Sequence, residues 1–404
     1  MKEVVSMSNV RKVFEQGKGV FHLAPTWVPR GFNEPGHRLR LHPDDYYAFG
    51  MDRGGICERW MGSTTVALNG PKTGKTEGMS FVYDDETGEK ILFKDCVDEL
   101  GADLIGADLQ ARYGTWPTFA KLYDYDKPLF HHLHLTEEMA NRIGMHGKPE
   151  AYYFPVQYNA SYLGRFPLTY FGFDPSTTKE EVKDCLRNYD KKDTRITELS
   201  RAYRIQLGTG WYTEAGVIHA PASLVTFEPQ WNSDVNTIME NVTMGEVNPH
   251  HLLTGCQPDS EKDNIDALFN QINWEESTRP DYKDKYFRAP KIRETDQEGL
   301  TEKWVAYAND WVAAKEITVE PHASVTVRDS ACYTALVVQG HGTFGAFECA
   351  APELLRFGDI SGDEFFVSEE AAGKGITITN TGSFEPLVIL QNFANNNKEV
   401  PANV

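Results

Sequence analysis

His131-His132-Leu133-His134 follows the apolar piece Lys127-Pro-Leu-Phe130. In an extended chain side chains repeat every two residues, so His132 and His134 project to one face, and two imidazoles on one face can share a metal ion. Further on, Gly147-Lys-Pro-Glu-Ala-Tyr-Tyr-Phe154 sets Glu150 at the head of an aromatic strand. Much later, Tyr212-Thr-Glu-Ala-Gly-Val-Ile-His-Ala220 sets His219 just past a glycine turn. Three imidazoles and one carboxylate make a donor set for one divalent transition-metal ion, with water completing the shell. Glu138 is a rival carboxylate, since His132-x-His134-x3-Glu138 is a compact spacing. It falls in the first turn of an expected helix, where the helix dipole alone accounts for its charge. His250-His251 has no carboxylate at a suitable spacing and reads as a solvated pair.

The elements that position these residues read mainly as strands. From Val20 to about Leu92 the chain is rich in Gly, Pro and aromatic residues, the pattern of loops and short strands. Thr136 to Gly144 carries a helix cap, two acidic residues for the first turn and a terminating glycine. The block Ser176 to Tyr189, followed by Thr197 to about Leu207, predicts a helical pair inserted between strands. From Asp259 to Asp296 the chain is highly charged, with only DNIDALFNQI suggesting a helix, and a domain boundary is expected near residue 290. Beyond it, Lys315 to Val319, Ser324 to Val327, Tyr333 to Val338, Gly375 to Thr379 and Pro386 to Leu390 alternate in period two, with Gly340-His-Gly342 at a tight turn. The organisation expected is an N-terminal metal-binding domain over 1–290, with its helical insertion near 176–207, and an antiparallel sandwich over 291–404 without evident metal ligands.

Composition narrows the function classes. The 404 residues carry a net charge of −19, which repels phosphate backbones and anionic lipid, so neither nucleic acid nor a membrane is an expected partner. No run of about 18 apolar residues and no signal-like N-terminus occurs, so a cytoplasmic location is expected. The six cysteines lie far apart without a CxxC, which points to buried free thiols rather than disulfides or a zinc-thiolate site.

HLHLTEEMA, GKPEAYYF, GVIHAP and Glu228-Pro-Gln-Trp-Asn-Ser-Asp234 occur in that order, preceded by Glu58-Arg-Trp-Met-Gly-Ser-Thr-Thr65 and Glu77-Gly-Met-Ser80. Over residues 20 to 255 this series resembles the type I mannose-6-phosphate isomerases of the cupin superfamily. The resemblance implies a mainly β protein of two cupin, or jelly-roll, β-sandwich domains with a short helical insertion. It also implies that His132, His134, Glu150 and His219 bind one divalent metal ion, zinc in these isomerases. Histidine at 132, where many members have glutamine, gives a three-His, one-Glu set that other cupins use for iron, manganese or nickel. The substrate implied is a small sugar or sugar 6-phosphate, interconverted between aldose and ketose, with Lys148, Glu228 and Asp234 in polar or acid–base roles.

Two departures bear on the chemistry. Family members carry an arginine a few residues beyond the Ser-Asp pair, suited to an enediolate's negative charge, but here Asp234 is followed by Val-Asn-Thr-Ile-Met-Glu-Asn. Position 217 is valine where several members have glutamate or threonine. The alternatives are therefore another metal-dependent cupin enzyme such as a dioxygenase, or a sugar-binding cupin without turnover. Should a phosphate be bound, the basic residues expected to supply charge are Arg38, Arg40, Lys72 and Lys75.

Overall fold

The computed structural model describes residues 8–159, 168–262 and 264–404. Strand outweighs helix, 31% to 22%, so the fold is mainly β, as expected. A seven-stranded sheet runs in the order Phe287–Arg288, Gly210–Thr213, Glu150–Tyr153, Thr226–Trp231, Thr118–Tyr123, Gly55–Met61 and Thr26–Arg30. A five-stranded sheet runs Ser200–Arg204, Leu168–Phe173, His219–Ala220, His132–Leu133 and Thr237–Ile238. The two sheets pack through aromatic side chains: Phe171 of the smaller stacks on Trp211 of the larger, with ring centroids 4.9 Å apart. Such pairs add to the burial of large apolar faces, which is where an aromatic-rich strand sequence finds its stability.

Between Phe287–Arg288 and Lys291–Arg293 the chain leaves this pair of sheets for a nine-stranded sheet. That sheet is not built from late residues alone, because Val20–Ala24, Phe81–Tyr83 and Lys90–Leu92 extend it beyond Glu364–Val367. The late strands fall close to the expected alternating segments: Ala313–Val319, Ser324–Val327, Tyr333–Gln339, Ile376–Asn380 and Leu387–Phe393. Gly340 turns with φ +79° between Tyr333–Gln339 and His341–Phe344.

The expected helical pair is only half helical. Lys179–Arg187 is a helix, held by a reciprocal cap between Thr178 and Glu181. The second half is a 3₁₀ turn, Ile196–Leu199, and then the strand Ser200–Arg204, which pairs antiparallel with Leu168–Phe173. An available sheet edge outweighs weak local helix preference there.

Gly55–Met61 is tied to the nine-stranded sheet by a buried ion cluster. Arg59 meets Asp363 at 2.7 and 2.8 Å and Glu364 at 3.1 Å. One guanidinium does not offset two adjacent buried carboxylates, and burial pushes the Glu364 carboxyl up to about 8. In the folded chain Glu364 then keeps its proton up to about pH 8, whereas in the unfolded chain it loses it near the ordinary carboxylate value of about 4.3. The folded state binds the extra proton, so this group's contribution to stability falls as pH rises through that window, by about 1.4 kcal/mol per pH unit at most. Glu364→Gln, which mimics the protonated form, is expected to match the parent near pH 5 and to exceed it near pH 8.5 in urea unfolding. A stability difference that does not change with pH would contradict the assignment.

Candidate metal centre

The register of the five-stranded sheet brings the first two imidazoles together. His219 lies directly opposite His132 in the antiparallel pair, so their side chains share a face, and His134 follows two residues on. Ring centroids of His132 and His219 are 4.2 Å apart, and those of His134 and His219 are 5.1 Å apart. Two glycines permit this approach. Gly216, at φ +85°, makes the turn before His219 and donates its N–H to the His134 carbonyl at 2.7 Å. At Gly147 a Cβ would meet the backbone nitrogen of Glu137 at 2.6 Å, so only glycine lets the Lys148–Glu150 segment pass the helix start.

Each imidazole is oriented by a carbonyl. His132 Nδ1 lies 2.9 Å from the Phe130 carbonyl, His134 Nδ1 2.7 Å from that of Val235, and His219 Nδ1 2.9 Å from that of Val217. A carbonyl only accepts, so Nδ1 carries the proton in each ring and the lone pair is left on Nε2. Candidate ligand atoms of the three rings lie within 4.8 Å of one another, and the His219 Nε2 is buried without a hydrogen-bond donor. Glu150 reaches in from the seven-stranded sheet, its Oε2 3.0 Å from His134 Nε2 and its Oε1 3.2 Å from His219 Nε2. Neutral imidazoles with lone pairs turned inward and an ionised carboxylate suit a borderline divalent metal.

The electrostatics agree with that protonation. Burial, reinforced by the neighbouring rings, holds His132 well below the usual imidazole range and holds His134 down to about 4. Burial alone would raise Glu150, but His134 and Lys148 outweigh it and keep the carboxyl well below its ordinary value. Tyr152 donates to Glu150 Oε1 and fixes its rotamer. Glu138 is exposed on the first turn of Glu137–Asn141, away from the cluster. Glu150→Gln is therefore expected to weaken metal binding at least ~100-fold, whereas Glu138→Gln costs about 0.3 to 1 kcal/mol of stability and no affinity. Chelator competition on the two variants checks this, and the reverse order would make Glu138 the ligand.

Around the imidazoles lies a ladder of alternating charge. Lys148 Nζ spends its three donors on Glu150 Oε2 at 2.6 Å, Glu228 Oε1 at 3.1 Å and His134 Nε2 at 3.1 Å. Lys121, paired in register with Glu228, sits 3.1 Å from that carboxylate and 3.8 Å from Glu58. Burial and the nearby Glu150 push Glu228 up to about 8, while Lys148 is held above the ordinary lysine range by Glu150 and Glu228 in spite of burial. Asp234 also lines the cavity. Both its oxygens are engaged by Arg30, at 2.9 and 3.0 Å, and Oδ2 accepts the Leu68 N–H at 2.8 Å.

Arg30 and Lys121 carried no sequence signal, and Glu58 and Tyr152 figured there only as parts of motifs. Arg30 is the last residue of Thr26–Arg30 and lies far from the other site residues in sequence. The cavity that these groups line holds about 30 Å³, room for one or two waters. A larger cavity of about 710 Å³ lies by the C-terminal tail. Its buried cation, Arg288, donates to the carbonyls of Tyr307, Lys285, Phe287 and Ala308, and no imidazole lines it, so the chemistry belongs to the smaller one. His250 is exposed and ion-paired with Asp190 at 2.6 Å, and the six cysteines are free and dispersed.

No protein-family model matches the sequence, and no curated protein matches it. Solved structures do match in shape. The mannose 6-phosphate isomerase from Bacillus subtilis superposes with a TM-score of 0.63 at 15% identity, over 93% of this chain and 99% of that one. A zinc-bound mannose 6-phosphate isomerase gives 0.61 at 12% identity, over 93% and 100%. A variant of the phosphomannose isomerase from Salmonella typhimurium gives 0.59 at 12%, over 93% and 100%. The likeness is one of fold. Among the described residues no helix is long and apolar enough to cross a membrane.

Proposed function

We propose that the protein is a metal-dependent aldose–ketose isomerase of the mannose-6-phosphate isomerase-like kind, with the N-terminal unit up to about residue 290 holding the metal. The observation that carries this reading is the convergence of three imidazole lone pairs and Glu150 beside the buried Lys148–Glu228 pair. The fold shared with mannose 6-phosphate isomerases along most of the chain supports it. His132, His134, Glu150 and His219 would hold one divalent ion, zinc by preference, with iron, manganese or nickel suited to the same donors. When bound, that ion supplies positive charge against the negative charge that develops on the sugar's oxygens.

The chain's own groups manage the protons. Isomerisation removes the proton on C2 of the open-chain aldose and moves the electron pair into a C1–C2 double bond as the C1=O π pair moves onto O1; a proton then returns to C1, and the O2 hydroxyl gives its proton to O1 as it becomes the ketone carbonyl. Glu228, shifted toward neutrality and touching the Lys148 ammonium, is matched to accept and return such a proton near neutral pH. Lys148, paired with Glu228 and Glu150, holds the Glu228 carboxyl in position for that transfer. Asp234, doubly held by Arg30, shapes the wall of the cavity instead of moving protons. A cavity of about 30 Å³ has room for the reacting C1–C2 end alone, with the rest of the sugar outside it.

Incubating the metal-loaded protein with a panel of aldoses and their 6-phosphates, followed by isomer analysis, tests the reading. Conversion of at least one pair is expected, and its loss in Glu228→Gln. No conversion across the panel at full metal occupancy would reject it. The third imidazole favours a second reading, an oxygen-activating cupin, which requires iron and oxygen uptake. A colourless zinc protein inert to oxygen dismisses that reading.

A further inference from the structure

Among the described residues three cations line the cavity, and each is already paired with a buried carboxylate. Arg30 is 3% exposed and has five N–H groups. They go to Glu58 Oε1 at 3.0 Å and Oε2 at 2.9 Å, to Asp234 Oδ1 at 2.9 Å and Oδ2 at 3.0 Å, and to Asn69 Oδ1 at 2.9 Å. No N–H is left for a ligand. Lys148 is ion-paired with Glu150 and Glu228, and Lys121 is ion-paired with Glu228 at 3.1 Å with Glu58 3.8 Å away. Three cations thus face four carboxyl groups, Glu58, Glu150, Glu228 and Asp234, so the described residues leave no excess of positive charge, and a bound divalent ion would supply it. That excess sits at the imidazoles, where the reacting carbons belong.

The rest of the lining has a different character. Phe32, Leu129, Phe130 and Pro221 form its apolar part, with the Phe32 and Phe130 rings 5.3 Å apart. Aromatic and apolar faces suit the C–H faces of a sugar. They offer nothing to a dianion, which needs arginine forks or clustered N–H donors. The basic residues that a phosphate would call on are elsewhere. Arg38 is paired with Asp124 at 2.6 Å, Arg40 donates to the carbonyls of Pro352 and Val338, and Lys72 is paired with Asp52. None of them, nor Lys75, lines the cavity.

We infer that the pocket takes a neutral sugar in preference to its 6-phosphate. The described cations of the wall are each paired with its carboxylates, and the rest of the lining includes an aromatic, apolar face. The inference rests on the isomerase reading, and it departs from the phosphorylated sugar that names the structural neighbours.

Two measurements on the metal-loaded full chain test it. In the first, kcat/KM is compared for mannose, glucose and fructose against their 6-phosphates. The neutral sugar is expected to lead by about tenfold or more. Its rate should change less than about twofold between roughly 50 and 500 mM salt, because no screened charge is involved in its capture. A 6-phosphate leading by tenfold, with a rate that falls as salt rises, would overturn the inference and leave the isomerase reading standing. In the second, sorbitol and sorbitol 6-phosphate, which cannot isomerise, are compared by calorimetry. Tighter binding of sorbitol is expected whether or not turnover is seen. Tighter binding of the phosphate would overturn the inference independently of activity, and binding of neither, without conversion of any sugar, would reject both readings.

Discussion

Replacing His219 with alanine is expected to strip the protein of most of its metal. His219 is fully buried, its Nδ1 proton is given to the Val217 carbonyl, and its Nε2 faces His132, His134 and Glu150 with no donor to satisfy it. Removing it takes away one of the four proposed ligands, and a water entering the space it leaves is a weaker donor than an imidazole. Loss of a partner that only orients a ligand costs metal sites ~10- to 100-fold, and loss of the ligand itself should cost at least that. Elemental analysis after gel filtration should find about one metal per chain in the parent and less than about a tenth of that in His219→Ala or His134→Ala. Cys57→Ser, Cys185→Ser and Cys349→Ser should keep full occupancy, since those thiols are dispersed away from the imidazoles. Full occupancy in either histidine variant would remove it from the ligand set.

The second large effect concerns stability. Arg30→Met leaves Glu58 and Asp234 buried, one 1% and the other 4% exposed, without the guanidinium that pairs with both. Asp234 keeps the Leu68 N–H, and Glu58 keeps Trp60 Nε1 at 2.7 Å, the Tyr125 hydroxyl and, at longer range, Lys121. Breaking a buried pair from one side costs about 3 to 5 kcal/mol, because an uncompensated charge remains. Urea unfolding of Arg30→Met should show that loss. Adding Asp234→Asn should recover part of it, since the second change removes one of the two stranded charges. A loss below about 1 kcal/mol would mean that the cluster contributes little to holding the wall, and the commitment of Arg30 would no longer argue against a charged ligand.

Much of the imidazole cluster was legible because its parts obey short-range rules. His132 and His134 alternate along an extended segment, Gly216 announces the turn before His219, and Gly147 marks the close passage that delivers Lys148 and Glu150. The late strands were legible for the same reason, since period-two alternation is local. What stayed hidden depends on register between distant strands. Arg30 meets Asp234 and Glu58 only because Thr26–Arg30 pairs with Gly55–Met61, which pairs with Thr118–Tyr123, which pairs with Thr226–Trp231. No spacing in the chain encodes that sequence of edges. Likewise Ser200–Arg204 carries weak helical spacing and becomes a strand because Leu168–Phe173 presents an edge to it. The joining of Val20–Ala24 to the late sheet is a long-range pairing of the same kind.

Incubation of the metal-loaded protein with an aldose in deuterated water, followed by NMR, addresses the central claim most directly. An enediolate route through Glu228 exchanges the migrating proton with solvent. The expected result is ketose with deuterium at C1, together with loss of the C2 proton signal from residual aldose, both abolished in His219→Ala and in Glu228→Gln. Metal at full occupancy with no ketose and no exchange at C2 for any neutral or phosphorylated aldose would contradict the assignment of this cluster to sugar isomerisation.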